Sequence, residues 1–274
     1  LRKRADDFAK RRSDRYATMT TQRLPHQVLT FFRSGPMPCP YLSGRVEQQL
    51  FAELSGPNAL DVFDVLSQGG FRRSHHIIYK PACAGCNACV PVRIPARRFK
   101  YGRAWRRIRN RNADLSVKIV GTRITEEQYD LFQLYTQRRH GEGEMAKMSR
   151  RDYAAMVLSS PVDTVLVEFR RPDGKLIAVC LMDRLAGGLS AVYSYFDPAE
   201  ERRSLGSYVI LWMIEEALRQ EFDHVYLGYW VAGSPKMDYK IRFRPIESFG
   251  PEGWQEIEGP YSVETSREKL NRAS

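Results

Sequence analysis

Long apolar runs are missing from this chain. Stretches such as Val209–Ile214 stay far short of the ~20 residues needed to cross a bilayer, and no apolar segment follows the charged N-terminus. Neither a membrane span nor a secretory signal is expected. Cysteines number only five, an odd count, and three of them recur with two residues between each, which suits a metal or redox site in a reducing compartment better than a disulfide framework. The expected location is the cytoplasm. Internal repeats and low-complexity linkers are also absent, so no composition shift marks a sharp domain boundary. What is present is 274 residues, 43% hydrophobic and 27% charged, with 13 Phe, 14 Tyr and 4 Trp, enough to bury a sizeable core.

The most telling absence is local. From Arg72 to Arg111 there is no Asp or Glu, against twelve Lys and Arg, while the formal net charge of the whole chain is +11. One basic segment on an otherwise nearly neutral body, interleaved with Phe99, Tyr101 and Trp105, supplies cations for phosphates and ring faces for unpaired bases. Nucleic acid is the partner this pattern favours over a solvated basic loop. The cations nominated for RNA are Arg93, Arg97, Arg98, Arg103, Arg106 and Arg107.

Leu1–Thr18 carries mixed charge without apolar periodicity and precedes Met19, so residues 1–18 are expected to be a disordered upstream extension and 259–274 a tail. Between them the reading is mixed α/β: an N-terminal Cys-containing and basic domain over 19–115 and a C-terminal domain over 116–258. Pro38-Cys39-Pro40 holds a thiol in a rigid extended turn. Val46–Leu54 is ambiguous between strand and helix. Residues 57–68 have helical spacing between Pro57 and Gly69-Gly70, and Phe71–Tyr79 reads as one strand.

Capping boxes at Thr125 and Ser149 open two helices. Strands are expected over Val162–Arg170, Leu176–Met182 and Leu189–Phe196, then a loop, a helix from Gly206 to Gln220 and a strand over His224–Trp230. That succession is the central unit of a GNAT-like acyltransferase domain.

Cys83, Cys86 and Cys89 can converge on one ion, with Cys39 as the fourth ligand and His75 and His76 as spares. The alternative is a set of reduced, partly buried thiols stabilising a loop. Cys180 alternates into a strand and reads as core. Arg203-Ser-Leu-Gly206-Ser-Tyr208 resembles an acyl-CoA pyrophosphate loop, but Tyr208 stands where close approach needs Gly or Ala, which points to a differently shaped acyl donor. Asp197 and Tyr208 are the candidate catalytic residues, and Tyr229, Lys236, Tyr239 and Lys240 candidate substrate contacts, because loops at strand and helix ends are where an acyl-transfer site is assembled.

Taken in order, the motifs resemble the arginyl-tRNA–protein transferase family, most closely its bacterial aspartate/glutamate leucyltransferase branch. The resemblance runs from about Phe31 to Trp254. It rests on Pro38-Cys-Pro-Tyr-Leu-Ser-Gly-Arg45, Gly70-Phe-Arg-Arg-Ser74, the Tyr79–Arg93 cysteine segment, Arg109-Asn-Arg-Asn112, Asp114-Leu115 and Arg139-His140. Further on it rests on Val192–Pro198, Arg203-Ser-Leu-Gly206, Tyr226-Leu-Gly-Tyr-Trp230 and Lys236-Met-Asp-Tyr-Lys240. Ser43 departs from it where a Pro is expected.

The resemblance implies transfer of Leu, or Arg, from aminoacyl-tRNA to the N-terminal α-amine of proteins beginning with Asp or Glu, in the N-degron pathway. It implies no cofactor for transfer itself, with zinc or an Fe–S cluster as the structural group the thiols could hold, and no membrane partner. A fixed cation must then read the acceptor carboxylate, and Arg72 or Arg73 is expected to do so; strand neighbours face opposite sides, so only one meets substrate. Two other readings fit part of the pattern: a metal-dependent RNA-binding module without catalysis, and a small-molecule N-acetyltransferase.

Overall fold

The computed structural model describes residues 29–141 and 143–257. The expectations for 1–18, for a start at Met19 and for 259–274 lie outside the described residues. The described chain opens with four short strands, β1 (Phe32–Arg33), β2 (Met37–Pro38), β3 (Val46–Glu47) and β4 (Gln49–Glu53), which resolves the ambiguous Val46–Leu54 segment as strand. Helix α1 (Ala59–Gln68) buries Ala59 and Phe63 and ends at Gly69-Gly70, as its apolar spacing requires. The single strand expected over Phe71–Tyr79 is a hairpin instead, β5 (Arg72–Ser74) and β6 (Ile77–Pro81), because the chain reverses at His75, whose φ is +54°.

Strand β7 (Cys89–Pro95) is followed by helix α2 (Arg103–Arg111) and strand β8 (Ser116–Gly121). Helices α3 (Glu126–His140) and α4 (Arg150–Leu158) both begin in capping boxes, with Thr125 and Gln128 satisfying each other's backbone N–H groups in the first and Ser149 and Asp152 in the second. Strands β9 (Thr164–Arg170) and β10 (Leu176–Leu185) form the hairpin, turning where Gly174 takes φ +85°. Strand β11 (Gly188–Phe196), helix α5 (Leu205–Arg219) and strand β12 (His224–Val231) complete the strand–helix–strand succession expected from the sequence, and β13 (Glu247–Gly250) and β14 (Gly253–Glu256) close the described chain.

Eight strands form one sheet in the order β14-β13-β7-β12-β11-β10-β9-β8, and a smaller sheet runs β1-β4-β6-β5. Strand β7 comes from the N-terminal side of the expected boundary at residue 115, yet it lies between β13 and β12 in the large sheet. Its basic sequence thus continues a strand paired along its length with β12. Phe132, Tyr153, Leu166, Val179 and Tyr195 form the core between α3, α4 and this sheet. A second core of Ala52, Leu54, Phe63, Ile78, Leu185 and Tyr226 ties the smaller sheet and α1 to it. Each large apolar side chain so buried contributes about 1.5–3 kcal/mol.

Two departures from regularity open the large sheet. Strands β11 and β12 pair in parallel only from Gly188–His224 to Ser190–Tyr226, and their ladder then stops. At the same point β11 shifts register against β10 between Leu181 and Met182, and β12 shifts against β7 between Tyr226 and Gly228. Each bulge adds an unpaired residue and re-aims the side chains beyond it.

Candidate active site

Arg72 occupies the mouth of that opening. Its Nη1 donates to Ser190 Oγ at 3.0 Å and its Nη2 to the carbonyl of Ala191, the last groups of β11 before β12 parts from it. Gly228 makes room from the other strand. It sits at φ +76°, and a Cβ there would stand 2.8 Å from Arg72 Nε. Among the described residues no carboxylate pairs with Arg72. Arg73, its neighbour, is buried on the opposite side: Nε and Nη2 clamp the Asp183 carboxylate at 2.7 Å each, Nη2 also donates to Thr164 Oγ1, and Nη1 donates to the His75 carbonyl. The alternation expected for the two arginines thus divides them between an opening and a buried ion pair.

Tyr229 and Lys240 support this mouth rather than face solvent. The Tyr229 hydroxyl donates toward the carbonyls of Gly70 and Tyr79, each at 3.1 Å, fastening the hairpin that carries Arg72 to β12. Its own carbonyl lies opposite Pro91, which has no N–H, and beyond the end of the β11 ladder; Lys240 Nζ supplies the missing donor at 2.6 Å. Burial first, and then the charge of Arg72, pull the Lys240 amine down to about 7. Burial, with Tyr135 adding to it, pushes the half-buried Tyr239 phenol up to about 12, while Arg139 and Arg72 act in the opposite sense. Lys236 lies exposed in the preceding loop.

Both residues expected to be catalytic are buried. Asp197 is buried and spent on local structure: Oδ2 accepts from Lys175 Nζ at 2.7 Å and Oδ1 from the Ala199 N–H at 2.9 Å. Burial raises this carboxyl, but those hydrogen bonds outweigh it and hold the group below its usual range. Tyr208 is buried on α5 with its ring edge-on to Phe169 at 5.8 Å, and burial raises its phenol. Among the described residues no hydrogen bond joins the two.

The basic segment divides as well. Arg93 pairs with Glu247 at 2.7 Å and covers the Trp254 ring at 4.3 Å; Arg97 pairs with Asp223 at 2.9 Å, and Arg98 with Glu256. Helix α2 differs. Trp105 anchors it, stacked on Phe243 with centroids 4.3 Å apart, while Arg103, Arg106 and Arg107 are exposed with no carboxylate in ion-pair distance among the described residues.

The four nominated thiols are neighbours without forming a metal centre. Burial first, then the nearby Cys39, Cys83 and Cys86, push the Cys89 thiol up to about 12. Cys83 Sγ is turned onto the backbone of Gln48, with the Gln48 N–H at 3.4 Å and its carbonyl at 3.6 Å. Among the described residues no three Cys, His, Asp or Glu side chains are set to hold one ion, and all five cysteines are free. Cys39, Cys83 and Cys86 all lie close enough to Cys89 to act on its thiol, so the four expected ligands are gathered in one region, with Cys83 Sγ resting on the Gln48 backbone in this arrangement. No described helix is long and apolar enough to cross a membrane.

Sequence reasoning passed over Asp183, Ser190 and Gly228. Only Gly228 carried a usable signal, since a glycine inside an apolar strand pattern marks a bulge or a close approach.

A sheet opened between two parallel strands, with a cation fixed at the opening, and a helix of exposed arginines are features able to hold an anionic group and a polyanion. The chain belongs to the arginine-tRNA–protein transferase family: the family's N-terminal model matches residues 37–107 and its C-terminal model residues 127–250. It is 52% identical over 225 residues to the aspartate/glutamate leucyltransferase of Rhodospirillum rubrum, covering 82% of this chain and 92% of that one. It is 49% identical over 231 residues to the enzyme of the same name from Gluconobacter oxydans, covering 84% and 96%. The structure of L-PGS from Bacillus licheniformis is similar over 67% of this chain and 53% of that one, with 10% identity and a TM-score of 0.43.

Proposed function

We propose that this protein transfers the leucyl group of leucyl-tRNA to the α-amine of polypeptides beginning with Asp or Glu, acting in the cytoplasm to mark them for N-degron proteolysis. The observation that carries this reading is Arg72, a guanidinium anchored on Ser190 and Ala191 at the opening of the sheet and lacking a carboxylate of its own among the described residues. A charge-assisted fork of this kind suits the side chain of an N-terminal Asp or Glu and brings the adjacent amine to the opening.

The donor ester is already activated. The amine nitrogen attacks the ester carbon, the bond to the ribose oxygen breaks, the amine gives up a proton and the ribose oxygen takes one. Orientation and charge stabilisation are the main contributions asked of the protein. Arg103, Arg106 and Arg107 on α2 are suited to the tRNA backbone, with Arg93, Arg97 and Arg98 as a second row whose charge is offset by carboxylates. The reading includes no cofactor in the transfer step.

Incubation with radiolabelled leucyl-tRNA and peptides that differ only in their first residue tests it. Label entering Asp- and Glu-peptides and not an Ala-peptide is the expected result. Equal labelling of all three, or arginyl transfer in preference to leucyl, overturns the substrate assignment.

A further inference from the structure

Beyond Ala191 the wall of the opening changes character. Tyr193 lies two residues along β11, about 6–7 Å further on, and its ring stands 6.5 Å from Tyr135 of α3 and 6.1 Å from Phe132. Tyr135 in turn packs on Phe196 at 4.9 Å. Phe132 and Tyr135 are buried in the core, and the partly exposed Tyr193 and Phe196 edge it with aromatic carbon fit for an aliphatic side chain. It carries one unexplained group: the Tyr193 hydroxyl is buried and has no hydrogen-bond partner among the described residues, an arrangement that costs about 1–3 kcal/mol unless a ligand completes it.

A cation overlooks the same surface. Arg139 follows Tyr135 by four residues on α3, so the two share a helix face, and its side chain is exposed at the helix end. Burial raises the phenols of Tyr135, Tyr193 and Tyr239, and the charge of Arg139 acts against that rise at all three, from three different elements. Arg139 is thus near enough to the three phenols to act on each, and it takes no part in the hydrogen bonds at Arg72.

The geometry points to the Tyr135–Tyr193–Tyr239 surface as the seat of the donor's amino-acid side chain, with Arg139 at its rim excluding cationic donors. This inference rests on the aminoacyl-transfer reading and specifies its donor class: neutral, branched apolar aminoacyl groups enter, whereas an arginyl or lysyl group would bring a second positive charge against Arg139. Like-charge repulsion at the rim rejects a cationic competitor whose methylene stem apolar contact alone would admit. The Tyr193 hydroxyl then has a role that apolar packing does not give it, as a hydrogen-bonding group toward the polar part of the aminoacyl ester.

Stable amide-linked leucyl- and arginyl-adenosine are the probes, measured by calorimetry alongside transfer from leucyl- and arginyl-tRNA to an Asp-peptide. For Arg139→Glu the preference for leucyl over arginyl should fall about tenfold or more in both assays, with the melting temperature unchanged. Tyr193→Phe should weaken both adenosine analogues several-fold while leaving their ratio in place. An unchanged ratio in Arg139→Glu, or a raised KM for the Asp-peptide with the donor ratio intact, overturns the assignment. So does full analogue affinity in Tyr193→Phe. Should the wild-type protein label no peptide, the transfer reading falls, and the analogue-binding ratio still decides this inference separately.

Discussion

Arg72 and Arg73 follow one another on β5 and send their guanidinium groups to opposite sides, one to Ser190 and the Ala191 carbonyl at the opening between β11 and β12, the other into a buried clamp with Asp183. The buried pair fixes the hairpin to the large sheet. The exposed face of the same hairpin is thereby held in register with Gly228, so Arg73 sets where Arg72 stands.

Removing Arg73 should cost stability first. Arg73→Ala leaves the Asp183 carboxylate, which is fully buried, without its counter-charge. A loss of about 3–5 kcal/mol in urea unfolding is expected. A loss under about 1 kcal/mol would show that Thr164 and solvent suffice for Asp183.

Arg72→Ala should do the reverse, lowering transfer to Asp- and Glu-peptides on the order of a hundredfold, as loss of a charge-assisted fork does, with a stability change of about 1 kcal/mol. Arg72→Lys should recover only part of the activity because an ammonium lacks the fork. Transfer assays paired with thermal melts separate the two effects.

Gly228→Ala keeps every charge and should still impair transfer, since the new methyl would meet Arg72 Nε at 2.8 Å and the backbone there is at φ +76°. The expected signature is a raised KM for the Asp-peptide with a modest drop in melting temperature. Wild-type kinetics in this variant would mean that Arg72 does not work from its observed position.

On α2, replacing Arg103, Arg106 and Arg107 together by Ala should weaken RNA binding and flatten its salt dependence by about one contact for each phosphate lost. Transfer at saturating tRNA should fall less than affinity. Filter binding at several salt concentrations reads both, and an unaltered slope would remove α2 from the interface.

Lys240 gives a pH test with a definite sign. Its folded value is pulled from 10.5 down to about 7, so between those limits the unfolded chain binds the proton and the folded chain does not. Stability contributed by this group therefore rises with pH across that window and is lost as pH falls toward 7. The melting temperature of the wild type relative to Lys240→Met should increase from pH 7 to pH 9; a constant difference would mean that the buried amine stays charged.

Local signals made much of the fold legible. Two capping boxes, the Pro-Asp-Gly turn and the alternating run from Leu189 to Phe196 each specify an element within a few residues, and each is present. Helix α2 was not legible as a helix, because five arginines in nine residues leave a single buried anchor, Trp105, and one anchor makes no periodicity. The hairpin at His75 was hidden by continuous strand-forming sequence on both sides. Asp197 and Tyr208 were drawn from where an acyl-transfer site is assembled, at loops and helix ends; their burial and partners such as Lys175 come only with the fold. Arg72 and Arg73 were legible as alternatives and not as assignments, since strand alternation separates them without saying which face is which.

Strand β7 pairs with β12 from Cys89–Val231 to Pro95–His224. A chain severed between α2 and β8 would divide that pairing between two fragments. The C-terminal fragment would keep β12 with one flank bare, and the N-terminal fragment would carry a seven-residue strand with nothing beside it. Each fragment would thus lack a strand that the other supplies. Co-expressed, they would be natural halves of a complementation pair, each completing the other's unpaired edge.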